Sequence, residues 1–286
     1  MMTWFTEKYD DDVKISYKID KHLCHKKSKF QTIDVYNNKL FGNYLVIDDI
    51  MMITEKDEFI YHEMIVHTPM ASNPNIKDVL VIGAGDGGTV RELCRYKNIS
   101  SITMVEIDEE VVNVSLEFFP NVSQSLKRDS RVNLLFQDGI TFVENSNDKS
   151  YDLIIVDSTD PIGPGEGLFS LNFYNNCYRI LKDDGILVNQ SESPYYPFNI
   201  KELKRSASKI NKIFPILKYY QSFIPTYPSG HWLFGFASKS INPINDDISK
   251  WNSNNIKTNY YNTKLHKASF VLPNYVQNII NEGKNN

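Results

Sequence analysis

Five short apolar runs in the middle of the chain constrain its fold more than any other feature. Val79–Ile82, Ile102–Val105, Val132–Phe136, Leu153–Val156 and Ile186–Val188 are continuous rather than alternating. Helical stretches lie between them: Thr89–Tyr96, Glu109–Phe118, one beginning at Gly139–Glu144, and Phe173–Leu181. A strand that is apolar at every position is buried on both faces, and strand–helix alternation gives a parallel sheet covered by helices on each side. The expectation is an α/β, doubly wound sheet. A helix over Phe59–Met70, ended by the prolines Pro69 and Pro74, should precede it, and Val271–Ile280 should return as a terminal helix.

The first part of the chain reads differently. Val13–Ile19, Phe30–Tyr36 and Tyr44–Ile47 are short β-prone runs separated by turn-prone Asn37-Asn38 and Asp48-Asp49. They predict a small antiparallel β domain at residues 1–58, followed by a catalytic domain at 59–286. The total of 286 residues fits two domains at about 150 residues each. So small a β unit has little stability alone, so it should pack on the rest of the chain or on another subunit. Ser240–Asn262 is Asn-rich and reads as a polar surface segment, and the last few residues as a frayed tail.

Composition excludes some functions. Lys and Arg total 31 against 35 Asp and Glu, a net charge of −4. That is no basic footprint for nucleic acid or an anionic membrane. Cys24, Cys94 and Cys177 are far apart, with no C-x-x-C knuckle, which fits a reducing compartment. The opening residues carry an early acid and no long apolar run, unlike a signal peptide. No run approaches the ~18 apolar residues of a membrane span. A cytoplasmic location is the expectation.

The strand ends carry the chemistry. Gly83-Ala84-Gly85-Asp86-Gly87-Gly88 follows a strand and opens a helix, matching G-x-G-x-x-G. Dinucleotide sites and methyltransferase-like sites share that pattern. Asp86 separates them. A pyrophosphate on this loop would meet a carboxylate, and like charges ~4 Å apart repel by roughly 4 kcal/mol at an effective dielectric near 20. The loop therefore argues against NAD and for a ligand with positive charge.

Glu106 ends the next strand, where an acid can accept both hydroxyls of a ribose. Asp138-Gly139 ends the third and can sit beside an adenine ring, although Asp before Gly also starts many helices. The fourth strand ends in Asp157-Ser158-Thr159-Asp160-Pro161-Ile162-Gly163-Pro164-Gly165, two carboxylates followed by a Pro/Gly-rich loop suited to closing over a ligand. Asp86, Asp157 and Asp160 would repel one another unless a cation lies among them. That cation is a metal or an organic polycation, and magnesium, which takes oxygen ligands, is open in principle. No His or Cys in this cluster points to a transition metal.

Two further segments invite a site reading. Tyr61-His62-Glu63-Met64-Ile65-Val66-His67 resembles a zinc-protease helix, but its histidines are five apart, about 140° around the helix. The zinc motif needs four. Tyr61 and His62 are instead candidates for polar contacts to an amine. Tyr227, in the turn segment Pro225–Trp232, can wall a pocket with its ring and hydrogen-bond through its hydroxyl.

Together these residues resemble the spermidine synthases, the polyamine aminopropyltransferases. The matching stretches are Gln31 within Ser-Lys-Phe-Gln, Tyr61–Met64, Gly83–Gly88, Glu106-Ile107-Asp108, Asp138-Gly139, Asp157–Pro164, Gln190, Thr226–Gly230 and His266–Pro273. They span nearly the whole chain. Ala84 departs from the family, which often has glycine there.

The resemblance implies a Rossmann-like, methyltransferase-type doubly wound sheet with a small N-terminal antiparallel β domain. It implies aminopropyl transfer from decarboxylated S-adenosylmethionine to putrescine, giving spermidine and methylthioadenosine, with no cofactor and no metal. It also implies a homodimer or homotetramer.

In that reading Asp157 is the proton acceptor and Tyr61 orients the nitrogen. His62 and Asp160 contact the diamine, with Ser158, Thr159, Gln190 and Tyr227 around it. Asp86 holds the aminopropyl ammonium. Gly83, Gly85, Gln31 and Glu106 contact the nucleoside, and Asp138, Gly139 and Pro164 frame its adenine. The alternatives are an S-adenosylmethionine-dependent N-methyltransferase of a diamine, transfer to cadaverine, agmatine or spermidine, a polyamine- or nucleoside-binding protein without turnover, and an NAD oxidoreductase.

Overall fold

The computed structural model describes residues 3–9, 12–159, 163–244 and 247–285. Strands β1 (Thr3–Lys8) and β2 (Lys14–Ile19) form an antiparallel hairpin. It packs on a four-stranded antiparallel sheet of β3 (Lys21–Lys27), β4 (Thr32–Asn38), β5 (Gly42–Ile47) and β6 (Ile50–Thr54). Asp48 and Asp49 both have positive φ, as expected of the tight turn between β5 and β6.

The rest of the chain runs as a helix–strand series. It comprises α1 (Glu58–Ser72), β7 (Asp78–Gly83), α2 (Gly88–Cys94), β8 (Ser101–Glu106), α3 (Glu109–Phe118) and the single turns α4 (Pro120–Ser123) and α5 (Ser125–Arg128). Then come β9 (Val132–Phe136), α6 (Gly139–Asn145), β10 (Tyr151–Asp157), a 3-10 turn at Gly163–Phe169, α7 (Leu171–Ile180) and β11 (Leu181–Gln190). The chain continues through α8 (Pro197–Asn211), β12 (Ile216–Phe223), β13 (His231–Ser238), a 3-10 turn at Ser249–Asn254, α9 (Thr263–Ser269) and α10 (Asn274–Lys284).

The large sheet has the order β12-β13-β11-β10-β7-β8-β9. Alternate residues of its strands feed two cores. Val79, Val81 and Ile155 face α1 and α2, through Met64, Ile65, Val90 and Leu93. Leu80, Ile82 and Ile154 face the other helical layer, through Val143, Phe173 and Leu203. The small sheet is fastened to the large unit by a third cluster, in which Ile33, Val35 and Leu45 meet Val111, Val114 and Phe119. The chain runs from β7 outward to β9, then returns to place β10 on the other side of β7. That reversal leaves a crevice beyond the carboxyl ends of β7 and β10, where open α/β sheets bind ligands.

Several expectations need correction. The five expected strands are parallel, as read, but two further strands make the sheet mixed: β13 pairs antiparallel with β11, and β12 antiparallel with β13. The helix of residues 59–70 does not stop at Pro69 but runs through it to Ser72. Proline removes one helical hydrogen bond, but every residue from Ile60 to Ser72 is buried, and that packing outweighs the loss. The terminal helix, α10, begins at Asn274, after Pro273, rather than at Val271, and a further helix, α9, precedes it. Residues 240–262 are not merely surface, since Ile248, Trp251 and Tyr261 are buried in the core against α1.

Candidate active site

The loop after β7 is shaped by its contact with the end of β10. Gly83 pairs with Asp157 in register, and the Ala84 N–H donates to the Asp157 carbonyl at 2.8 Å. Gly83 has φ +84°, and a Cβ on it would lie 2.2 Å from that carbonyl oxygen, so no side chain fits. Ala84 also has positive φ, +65°, a left-handed conformation that costs a residue with a Cβ about 1 kcal/mol. A Cβ on Gly85 would come within 3.1 Å of Glu106 Oε2 and 2.7 Å of Val111. Its absence lets the loop approach Glu106.

Asp86 sits in this loop with its carboxylate already anchored. Its Oδ1 accepts from the Gly88 N–H at 2.6 Å and lies 3.2 Å from His62 Nε2. The other ring nitrogen, Nδ1, lies 2.6 Å from Glu58 Oε2, and Arg91 grips Glu58 through two nitrogens at 2.8 and 2.9 Å. Burial disfavours the His62 cation, but Asp86 and then Glu58 outweigh it and push its pKa up to about 10. Burial would raise Asp86, yet His62 holds its pKa below the ordinary aspartate value. His62 is therefore a buried cation in the cleft wall. Both of its ring nitrogens face carboxylates of the protein.

Asp157 behaves oppositely. Its Oδ1 accepts from the Tyr61 hydroxyl and its Oδ2 from Thr89 Oγ1, both at 2.6 Å. Burial first, and the neighbouring Asp86 charge second, push its pKa above the ordinary value. Burial and the Asp157 charge keep the Tyr61 phenol protonated far into the alkaline range. So two adjacent carboxylates differ in kind. Asp86 is a fixed anion, and Asp157 holds a proton more readily. Paired groups pushed apart in this way divide binding from acid–base work.

The nucleoside candidates line the same cleft. Burial raises the Glu106 carboxyl to about 7, and its Oε1 accepts from the Asp108 N–H at 2.9 Å. Gln31, from the small domain, donates through Nε2 to Asp108 Oδ2 at 3.0 Å, and Ser28 Oγ donates to the same oxygen at 2.6 Å. Asp138 caps α6, accepting from the Ile140 N–H at 2.9 Å, with buried Gly139 behind it. Ser158 and Thr159 lie on the wall. Buried Gln190 exchanges hydrogen bonds with Glu192. The Tyr227 ring lies 6.3 Å from that of Tyr61, and its hydroxyl donates to the Met52 carbonyl at 2.8 Å. Asp160 and the Pro164 side chain lie outside the described residues.

Several supporting groups escape sequence reasoning. Thr89 fixes Asp157, Glu58 and Arg91 fix His62, and Asp108 joins Gln31 to the nucleotide side. Thr89 and Arg91 are ordinary-looking members of the helix after the glycine loop, and only their position one turn beyond a strand end hints at them. His67 goes elsewhere, to Tyr96 and Glu92. Among the described residues no helix is long and apolar enough to cross a membrane.

Comparison with known proteins agrees with this geometry. Residues 58–247 match the spermine/spermidine synthase domain, and residues 3–55 the spermidine synthase tetramerisation domain. A polyamine aminopropyltransferase of Clostridioides difficile is 61% identical over 99% of this chain and 100% of its own length. One of Alkaliphilus oremlandii is 56% identical over 98% of each chain. A spermidine synthase solved in complex with the transition-state analogue AdoDATO superposes with a TM-score of 0.94 at 39% identity, covering 98% of this chain and 95% of that one. The spermidine synthase of Thermotoga maritima gives 0.91 at 37% identity, covering 98% and 94%. The chain belongs to the spermine/spermidine synthase family, the polyamine aminopropyltransferases.

Proposed function

We propose that this enzyme moves the aminopropyl group of decarboxylated S-adenosylmethionine to putrescine, with Asp157 as the proton acceptor. The observation that carries the reading is the split between Asp86 and Asp157, one carboxylate held anionic and its neighbour made more basic. A diamine is doubly protonated near neutral pH, since an alkylammonium has a pKa near 10.4. An ammonium has no lone pair, so one end must lose its proton before it attacks.

In the proposed step Asp157 takes that proton, while Tyr61 and Thr89 hold the carboxylate in place. The freed nitrogen lone pair forms a bond to the donor's methylene carbon. The carbon–sulfur bond breaks, its electron pair returns to sulfur, and the sulfonium becomes a neutral thioether. Nothing in that balance calls for a metal or organic cofactor. Asp86 pairs with the aminopropyl ammonium and disfavours intact S-adenosylmethionine, whose carboxylate would lie near it. Glu106 receives the ribose hydroxyls. Asp138, Gly139 and Pro164 frame the base, and Gln31 covers the thioadenosine from the small domain. His62, Ser158, Thr159, Asp160, Gln190 and Tyr227 form the diamine end, and Gly83 and Gly85 leave room for the nucleoside.

The small domain at residues 1–58 supplies lid contacts and an oligomerisation surface for a homodimer or homotetramer, which the matched tetramerisation model supports. Residues 59–286 form the catalytic unit, and the substrates belong to the cytoplasm.

The test offers putrescine with each donor in turn and weighs the product. A gain of one aminopropyl unit, from the decarboxylated donor alone, is expected. A gain of one methyl group from S-adenosylmethionine would overturn the reading. Comparing kcat/KM across putrescine, cadaverine, agmatine and spermidine fixes the acceptor. A tenfold preference for any other acceptor would replace putrescine while leaving the chemistry intact.

A further inference from the structure

The small domain holds a cluster of metal-ligating side chains that the transfer chemistry does not use. Strand β3 is the edge of the four-stranded sheet. In a regular strand, residues three apart point to opposite faces. Here the register slips: His22 pairs with Tyr36, Cys24 with Val35, and His25 with Asp34. The bulge between His22 and Cys24 turns both histidines to the face that carries Asp34 and Tyr36. Cys24 is left on the opposite face, against the core of Ile33 and Val35.

The result is convergent. His22 Nε2 lies 2.7 Å and His25 Nδ1 2.9 Å from the same oxygen, Asp34 Oδ1. One ligand atom from each residue falls within 4.8 Å of the others. The Asp34 carboxylate is only 11% exposed, and among the described residues its ion-pair partners are these two histidines, with no Lys or Arg. A buried carboxylate is costly unless a cation compensates it. Tyr36 reinforces the arrangement from outside. Its ring lies 4.6 Å from that of His22, on the face that carries Asp34.

We propose that His22, His25 and Asp34 bind one divalent transition-metal ion of the zinc class. Two imidazole nitrogens and one carboxylate oxygen suit zinc, whereas magnesium and calcium prefer all-oxygen sets. Zinc–ligand bonds of about 2.0–2.2 Å in tetrahedral geometry place neighbouring ligand atoms roughly 3.3–3.5 Å apart. The histidines must therefore draw back slightly from Asp34. With side chains 46% and 61% exposed, they have room to do so. His22 and Tyr36 also line a groove bounded by Trp4 and Asp49.

The test uses the full-length, tag-free protein, stripped with a chelator and titrated with zinc chloride. Binding of one zinc per chain is expected. Cobalt(II) at the same site should give visible ligand-field bands. His25→Gln and His22→Gln should each weaken zinc by at least about 100-fold, the upper end of what losing an outer partner costs. The remaining histidines, His62, His67, His231 and His266, are all buried, so the readout reports this pair. His25→Gln replaces an exposed side chain, so the fold should survive, and an unchanged circular-dichroism melt of the stripped protein checks that. Absence of saturable binding at one per chain, or unaltered binding in the folded His22→Gln/His25→Gln protein, would overturn the proposal.

Discussion

Helix α1 carries two buried charge clusters whose partnering differs. At its start, Glu58 and His62 lead to Asp86 and Asp157 at the cleft. Further along, Glu63 is closed off. Its carboxylate accepts the backbone N–H groups of Asn259, Tyr260 and Tyr261 at 2.7–2.8 Å. Beside it, His67 contacts Tyr96 and Glu92, and Trp251 donates to the same Tyr96 hydroxyl. Burial disfavours the Glu92 anion, but His67, Arg91 and Arg95 outweigh it and lower the pKa to about 2. The comparison separates two uses of a buried acid. Glu63 and Glu92, engaged by protein groups, hold the C-terminal segment to α1. Asp157, made basic and facing the cleft, is suited to exchanging a proton with a ligand.

The largest expected break in that contrast is chemical. Asp157→Asn should lower kcat by about 10²–10⁴, the usual worth of a positioned base. Its stability should move little or rise at pH 7. A folded pKa raised above the unfolded one means that ionisation costs stability as pH climbs through it, and the amide removes that cost. A thermal melt and a single-turnover assay check both halves.

The mirror experiment comes next. Glu63→Ala strips three N–H groups, that of Tyr261 fully buried, of their acceptor and should cost about 3 kcal/mol. That is a fall in Tm of roughly 6–12 °C. Its pH–rate profile should stay where the wild type's is. A displaced profile with an unchanged melt would erase the distinction between the clusters.

A smaller effect belongs to Glu106. Burial raises its pKa to about 7, so if the proposed ribose hydroxyls donate to the carboxylate, acidification should weaken nucleoside binding. Affinity for methylthioadenosine should fall by up to about tenfold per pH unit below 7, and Glu106→Gln should flatten that slope. Calorimetry at pH 6 and pH 8 measures it. The least effect is in the loop itself: Ala84→Gly relieves the positive φ and should add about 1 kcal/mol or less, read from a denaturant midpoint.

The sequence disclosed the active-site edge well because parallel strands are apolar runs that stop abruptly. Val79–Ile82 ends in Gly83, and Leu153–Val156 ends in Asp157, so the strand termini and their acids could be placed together. It disclosed the small domain less well. Strand β3 reads Lys-His-Leu-Cys-His-Lys-Lys and has no clean alternation, since it is an edge strand with a bulge. Strands β12 and β13 were hidden because nothing local distinguishes an antiparallel return from another βα unit. The role of Glu63 depends on residues almost two hundred positions away, and that of Thr89 on a strand sixty-eight residues later. Contacts of that range leave no local pattern.

The central claim is that adjacent Asp86 and Asp157 are driven apart in basicity. Carbon-13 NMR of aspartate carboxyls, titrated against pH and assigned with Asp86→Asn and Asp157→Asn, tests it directly. The account predicts two steps, one above the ordinary aspartate value that vanishes in Asp157→Asn, and one below it that vanishes in Asp86→Asn. Titration of both groups together at the ordinary value, or in the reverse order, would contradict it.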